Sequence, residues 1–308
     1  MKICVTGGAG FIGSHVAELF LNQGHDVVIV DNFSTGKEEN VPAGARVERM
    51  DIVSDDIDAL FEREQFDAVS HQAGHLELRT SVIKPLYDAE VNVMGSIRVL
   101  IASERNGVRH ITLASSAGGV YGAQENYPAT EEDTAHPISP YGVAKRSMEL
   151  YAEYYGSKGT MKAVNLRYTN VYGPRQNPFG EAGILGIFLE RWLSGQGAVV
   201  HGAGDQVRDY VHVVDVARAN ALALQHELSG IYNVCTATET SVNELVAEMQ
   251  KSLPGMPTPT TYGPAKAGDP PRGVASFQKL KTATAWEPSV ALNDGIRQTA
   301  EWFQNIPR

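Results

Sequence analysis

Tyr141 and Lys145 stand four residues apart, directly behind Ser139-Pro140. A proline there suits a helix start, and the i, i+4 spacing puts a phenol and an ammonium on one helix face. A neighbouring cation favours the phenolate, so Tyr141 could take and return a proton near neutral pH. Ser115 and Ser116 close an apolar run, 111–115, that reads as a strand. Ligands meet the carboxyl ends of strands in doubly wound sheets, so a hydroxyl there could share a substrate proton. A Tyr-x-x-x-Lys pair alone also fits an ordinary amphipathic helix. Its weight comes from what else the chain holds, in order.

A glycine turn, Thr6-Gly7-Gly8-Ala9-Gly10-Phe11-Ile12-Gly13, follows the first apolar run and opens the first amphipathic stretch. It contains GxGxxG at Gly8, Gly10 and Gly13, and GxxGxxG at Gly7, Gly10 and Gly13. Such glycines allow a tight turn and let backbone N–H groups approach a pyrophosphate, whose charge a helix N-terminus favours. Asp31 ends the second apolar run, 18 residues past Gly13. A carboxylate there can hydrogen-bond the adenosine ribose hydroxyls and repels a 2′-phosphate, which selects NAD over NADP. Asp51-Ile52 ends the third run, where an acid could meet adenine or stay a solvated loop residue.

Positioning these residues takes alternating elements. Runs 2–6, 27–31, 47–51, 68–72, 111–115 and 163–168 read as strands, and 11–22, 55–64, 86–106 and 141–155 as helices. Strand–helix alternation implies right-handed βαβ units: an α/β fold with a doubly wound parallel (Rossmann) sheet over residues 1–168. After residue 168 the rhythm changes. Gly173-Pro174 and Asn177-Pro178 mark loops, while 181–194 and 211–225 read as helices. Ser241 and Glu244 fit a capping box opening a helix over 242–251, and 253–271 reads as an irregular Pro/Gly/Thr-rich surface segment. The expectation for 169–308 is a smaller, interleaved substrate lobe, with 205–226 packing back on the first domain.

Composition narrows the function classes. The chain has 308 residues, 43% hydrophobic and 20% charged, with a net charge of −10 and no basic run. Nucleic acid is therefore an unsuitable partner. Cys4 and Cys235 lie in separate apolar stretches and read as buried, reduced thiols. The nine histidines show no metal spacing, so no metal is expected. No run of 18 apolar residues implies a membrane span, and an N-terminus that enters the glycine loop directly reads as cytoplasmic.

Further motifs extend the pattern: Asp31-Asn32, His71-Gln72-Ala73-Gly74, Val91-Asn92, Leu166-Arg167-Tyr168, Asn170-Val171-Tyr172-Gly173-Pro174-Arg175, Gly180-Glu181-Ala182-Gly183 and Val207-Arg208-Asp209-Tyr210-Val211-His212. With the glycine loop and Ser139–Lys145 they cover almost the whole chain. Together they resemble the extended branch of the short-chain dehydrogenase/reductase family, and within it the bacterial and archaeal UDP-glucose 4-epimerases. The resemblance implies Tyr141 as acid/base, Lys145 as its electrostatic partner touching the nicotinamide ribose, and Ser116 as the catalytic hydroxyl, with Ser115 a weaker neighbour. It implies a cofactor site of Gly7, Gly10, Phe11, Ile12, Gly13, Asp31, Asn32, Asp51, Ile52, Gln72, Ala73, Gly74, Asn92, Ser115 and Tyr168. Asn170, Arg208 and Asp269 would hold UDP, and a planar guanidinium suits a diphosphate. Gly273 falls where relatives place a gate beside the sugar, and a gate without a side chain would admit N-acetylated sugars.

The resemblance also implies chemistry. Related dehydratases and decarboxylases carry acids after the strand-end hydroxyl, and 115–122 has none. That suits hydride movement alone: C4 epimerisation of a UDP-hexose through a 4-keto sugar and tightly bound NAD, in a homodimer paired through two long helices. His201 replaces the usual aromatic against uracil, Lys266 replaces an arginine, and 75–80 is unusual. Arg79 leaves a uronic acid substrate open, and a reductase releasing NAD(P)H is the other alternative.

Overall fold

The computed structural model describes residues 1–76, 78–178, 183–255, 260–265 and 271–305. The main elements are β1 (Lys2–Thr6), α1 (Phe11–Asn22), β2 (Asp26–Asp31), β3 (Arg46–Arg49), α2 (Ile57–Glu64), β4 (Ala68–His71), α3 (85–105), β5 (His110–Ser116), α4 (Pro140–Ser157), β6 (Lys162–Tyr168), α5 (Ile184–Leu193), α6 (Val213–Gln225), β7 (Gly230–Val234), α7 (Val242–Ser252) and α8 (Leu292–Asn305). The seven-stranded sheet runs β7-β6-β5-β4-β1-β2-β3, and every neighbouring pair is parallel. The order reverses between β1 and β4, which opens a ligand crevice at their carboxyl ends.

Burial explains the apolar strands. Ile3, Cys4 and Val5 of β1, and Val27, Val28 and Ile29 of β2, are all fully buried. Helices cover both faces, so alternation with polar residues is lost. One face packs Cys4, Val28, Leu60, Phe61, Leu100, Ile111 and Met148. The other packs Ile3, Val5, Ile29, Val16 and Phe20 with Ala217 and Leu224 of α6. Helix α6 thus returns to the sheet. A separate core joins Phe188, Trp192, Val200, Leu245, Met249, Ile296 and Phe303 of α5, α7, α8 and Ala198–His201.

Helix starts follow local chemistry. The Ser139 hydroxyl accepts the Gly142 N–H at 3.1 Å, with Pro140 in the first turn of α4. Ser241 and Glu244 form the expected capping box on α7. Helix α3 is continuous but π-wound over Glu90–Gly95, and π turns cluster at functional sites.

Two expectations need correction. The sheet does not end at residue 168: β7 pairs with β6, so part of the 169–308 stretch belongs to the first layer. Its interior Asn233 accepts a hydrogen bond from Tyr121 and donates its N–H to Glu131, distant partners that the local pattern hides. The 253–271 stretch is not irregular throughout, because Thr260–Gly263 pairs in parallel with Ala198–His201.

Candidate active site

Thr6, Asp31, His71, Ser116 and Tyr168 are the last residues of β1, β2, β4, β5 and β6. The sheet therefore brings them to one edge. Above β1 the glycine loop closes on its neighbours. Gly7 has φ +69°, and a methyl on it would fall 2.6 Å from the Ala73 nitrogen; one on Gly13 would fall 2.1 Å from the Gly7 oxygen. Any side chain would break this packing. The first turn of α1 has neither a side-chain cap nor an acidic residue, so its amides suit an anion. The loop and helix start fit a dinucleotide pyrophosphate, with Phe11 and Ile12 in that first turn.

Asp31 is buried. Its carboxylate accepts the Ala9 N–H at 3.0 Å and the Phe33 N–H at 2.8 Å, which ties it to the glycine loop. Lone pairs remain on both oxygens for ribose hydroxyls. Asn32 donates to Asp51 at 2.9 Å at the same edge. Ile52 is different: its side chain lies in the core under α3, so only its main chain can serve the site.

Under the β4 end, a hydrogen-bond chain fixes geometry. Ser96 donates to the Asn92 carbonyl at 2.7 Å, so it accepts from His71 Nε2, 2.9 Å away. His71 Nδ1 then accepts from Thr6 at 2.7 Å, and the Thr6 oxygen also accepts the Ala73 N–H at 3.3 Å. Burial drives His71 down to about 3, with the Lys145 charge adding to it, so the ring is neutral. Gln72 donates to Ser70 at 2.9 Å and to Asn220 at 3.0 Å, and accepts from Tyr168 at 3.3 Å. Burial pushes the Tyr168 phenol up to about 12.

The proton-handling cluster lies across from this chain. Lys145 is buried and donates to the Ala114 carbonyl at 3.0 Å, with Nζ 5.9 Å from the centre of the Tyr141 ring. Burial lowers Lys145 to about 8 against the pull of Asp88 and Glu149. Burial raises Tyr141 to about 12; a hydrogen bond with Ser116 works the other way, and the Asp88 charge adds to the rise. The Ser116 oxygen also accepts the Gly119 N–H at 3.1 Å, capping Ala117–Tyr121.

Ser115 is corrected as a cofactor-binding side chain. Strand alternation turns it to the other face, where it donates to Glu149 at 2.6 Å. Glu149 also takes Arg167 bidentately, at 2.8 and 2.7 Å, both residues being buried.

The residues expected to hold the nucleotide of the substrate lie on or beside short strands. Asn170 opens Asn170–Tyr172, paired with Tyr210–His212, and donates to the Asp209 carbonyl at 3.3 Å. Arg208 lies in Val207–Arg208, between Thr240–Ser241 and Arg272–Gly273, with Gly273 directly opposite it. Among the described residues, a methyl on Gly273 would meet only Arg208 Cδ, at an ordinary 3.7 Å. His201 donates from Nδ1 to the Pro264 carbonyl at 3.2 Å. Lys266, Asp269 and Glu77 lie outside the described residues.

Asp209, inside a motif but given no role by it, anchors this lobe. It is fully buried and takes Thr236 N–H and O–H at 2.9 and 2.7 Å and Ala237 N–H at 2.8 Å. Burial pushes it up to about 6 while those donors pull it back. Asp88, Thr6 and Glu149 were also missed. Thr6 opens the glycine motif without a role of its own, and the only trace of the other two is spacing: Asp88 four before Asn92, and Glu149 four after Lys145.

Among the described residues no group of three His, Cys, Asp or Glu could hold a metal, and no helix is long and apolar enough to cross a membrane. Comparison with known proteins agrees with this geometry. A putative UDP-glucose 4-epimerase of Methanocaldococcus jannaschii is 37% identical over 99% of both chains. The UDP-glucose 4-epimerase of Thermotoga maritima, solved with UDP-glucose, superposes with a TM-score of 0.96 at 39% identity, covering 99% of each chain. That of Thermus thermophilus, solved with NAD, gives 0.92 at 41% identity over 99% of each. The model of the NAD dependent epimerase/dehydratase family matches residues 3–235, and the chain belongs to that family.

Proposed function

We propose that this protein inverts C4 of a UDP-hexose, interconverting UDP-glucose and UDP-galactose by oxidation and re-reduction at that carbon. The observation that carries the reading is the meeting of Ser116, at the end of β5, with Tyr141 and Lys145 of α4, close to the segment on which the glycine loop packs. No carboxylate in 115–122 offers elimination chemistry. Tyr141, as phenolate, takes the proton of the C4 hydroxyl, and Ser116 steadies the same oxygen. Lys145 stabilises the phenolate through its charge. When bound, NAD supplies the hydride acceptor at C4 and the donor that restores it. The glycine loop, Asp31 and Gln72–Gly74 would hold it, and Asn92, whose buried side chain is bonded to His75 and Asp88, would act by fixing that segment. The 4-keto sugar turns while Asn170, Arg208 and His201, with Lys266 and Asp269, keep the UDP in place; Tyr141 then returns the proton on the other face.

A cofactor restored every turnover has no need to leave. Purified protein given UDP-glucose and no NAD should therefore form UDP-galactose. A requirement for stoichiometric reductant, or no product at all, would remove the reading.

We infer also that two copies pair through α3 and α4. Ile83, Leu86, Met94, Val143, Leu150 and Tyr154 are exposed apolar side chains on or beside these helices. Val143, Leu150 and Tyr154 repeat at 7 and 11 residues, which puts them on one face. A second copy would cover them by two-fold symmetry. Light scattering at micromolar concentration should give a dimer; a monomer would contradict this.

A further inference from the structure

Asp88 is fully buried in the turn of α3 that packs against α4. Its carboxylate is half used. Oδ1 accepts from His75 Nδ1 at 3.1 Å and from Asn92 Nδ2 at 3.0 Å, while Oδ2 is buried with no hydrogen-bond partner among the described residues. A buried carboxylate oxygen without a donor is costly, so the charge needs a reason to be there. The segment it holds passes the reacting groups. Asn92 grips His75 from both sides, accepting its N–H and donating to its carbonyl, each at 3.0 Å. A methyl on Gly74 would fall 2.8 Å from Asn92 Oδ1 and 3.2 Å from Lys145 Nζ.

We propose that Asp88 is a positioning residue that acts through Tyr141 and Lys145: its buried charge sets the pH window in which that pair can exchange a proton with substrate. Among the described residues, the elements packed around the pair bring these charged and titratable groups. On the helix Leu78–Ile83, whose Ser81 hydroxyl accepts the Tyr141 N–H at 3.2 Å, there is Arg79. On α4 they are Tyr141, Lys145 and Glu149; Glu149 is paired with buried Arg167 and with Arg146, and it too pulls on Lys145. On β4 there is neutral His71, and on the segment after it His75, bonded to Asp88. On α3 there is Asp88 itself. A fixed negative charge here makes the phenol harder to ionise and holds the ammonium protonated. Asp88 thereby moves both titrations toward higher pH.

The unused oxygen makes the test clean. In Asp88→Asn the amide oxygen can keep both donors, while the new NH₂ takes the place of an oxygen that bonds nothing. The charge is lost and both existing hydrogen bonds are kept, at the cost of a buried NH₂. Asp88→Ser removes the charge with a different side chain, and Asp88→Glu keeps it. In the NAD-loaded enzyme, D88N and D88S should move both limbs of the turnover pH profile down by about one unit, the lower end of what a neighbouring buried charge does. D88E should titrate with the wild type. The turnover arm rests on the proposed epimerase activity. A second readout does not: phenolate absorbance of Tyr141, taken as the difference from Tyr141→Phe protein, should move the same way without substrate. Unmoved limbs and phenolate titration in both neutral variants, or D88E shifting along with them, would overturn the proposal.

Discussion

The cofactor half and the substrate lobe build their surfaces in opposite ways. Around NAD, the binding surface is backbone. Gly7 and Gly13 have no room for a methyl, and the strands beneath them are buried on both faces. On the side proposed to take UDP, the candidate residues stand on strands of two or three residues, such as Val207–Arg208 and Arg272–Gly273, and among the described residues the position opposite Arg208 is open. The first design tolerates almost no change. The second can be altered one residue at a time. A shared hydride chemistry with adjustable sugar specificity fits that division, and Tyr141 stands at the seam.

Substitutions can break or sharpen this contrast. The largest effect belongs to the seam. Tyr141→Phe should fold and keep NAD but lose about 10²–10⁴-fold in turnover, the usual size of a general acid–base contribution. Activity within a factor of about two of wild type would take the role from Tyr141. Next is Gly7→Ala, which combines an unfavourable φ with a backbone collision. It should lose about 2 kcal/mol or more of stability and most of its NAD; unchanged thermal melting and cofactor content would show the loop to be less rigid than its packing implies. Asp31→Ala should narrow the preference for NAD over NADP. Equal affinity of the unmodified protein for the two would refute the assignment to Asp31.

The smallest backbone effect is expected at Gly273. Its φ is unexceptional and its surroundings among the described residues are open, so Gly273→Tyr should fold normally. It should keep UDP-galactose turnover and selectively lose UDP-GlcNAc and UDP-GalNAc. Loss of all substrates alike would place Gly273 with Gly7, as a residue needed for backbone shape.

How much was legible in the sequence follows the same division. Strand β1 and helix α1 have the ends expected from pattern alone, because an apolar run, a glycine turn and an amphipathic stretch are local signals. Tyr141 and Lys145 were readable through helix spacing. Ser115 and Ser116 could not be separated until alternation along β5 and the Glu149 carboxylate assigned the first to the core. Strand β7 was missed because buried Asn233 looks like a loop residue until Tyr121 and Glu131 arrive from more than 100 positions away. Thr260–Gly263 was hidden by its Pro-rich setting, and its pairing with Ala198–His201 is a tertiary fact. Asp88 carries no motif, and its weight comes entirely from burial beside α4.

The central claim is that the C4 hydrogen leaves and returns as a hydride held within one enzyme molecule. UDP-glucose carrying deuterium at C4, incubated with the protein in ordinary water, tests this directly. The account predicts that the label stays at C4 in both UDP-glucose and UDP-galactose, with no NADH released. Deuterium lost to water, or recovered in free NADH, would contradict it.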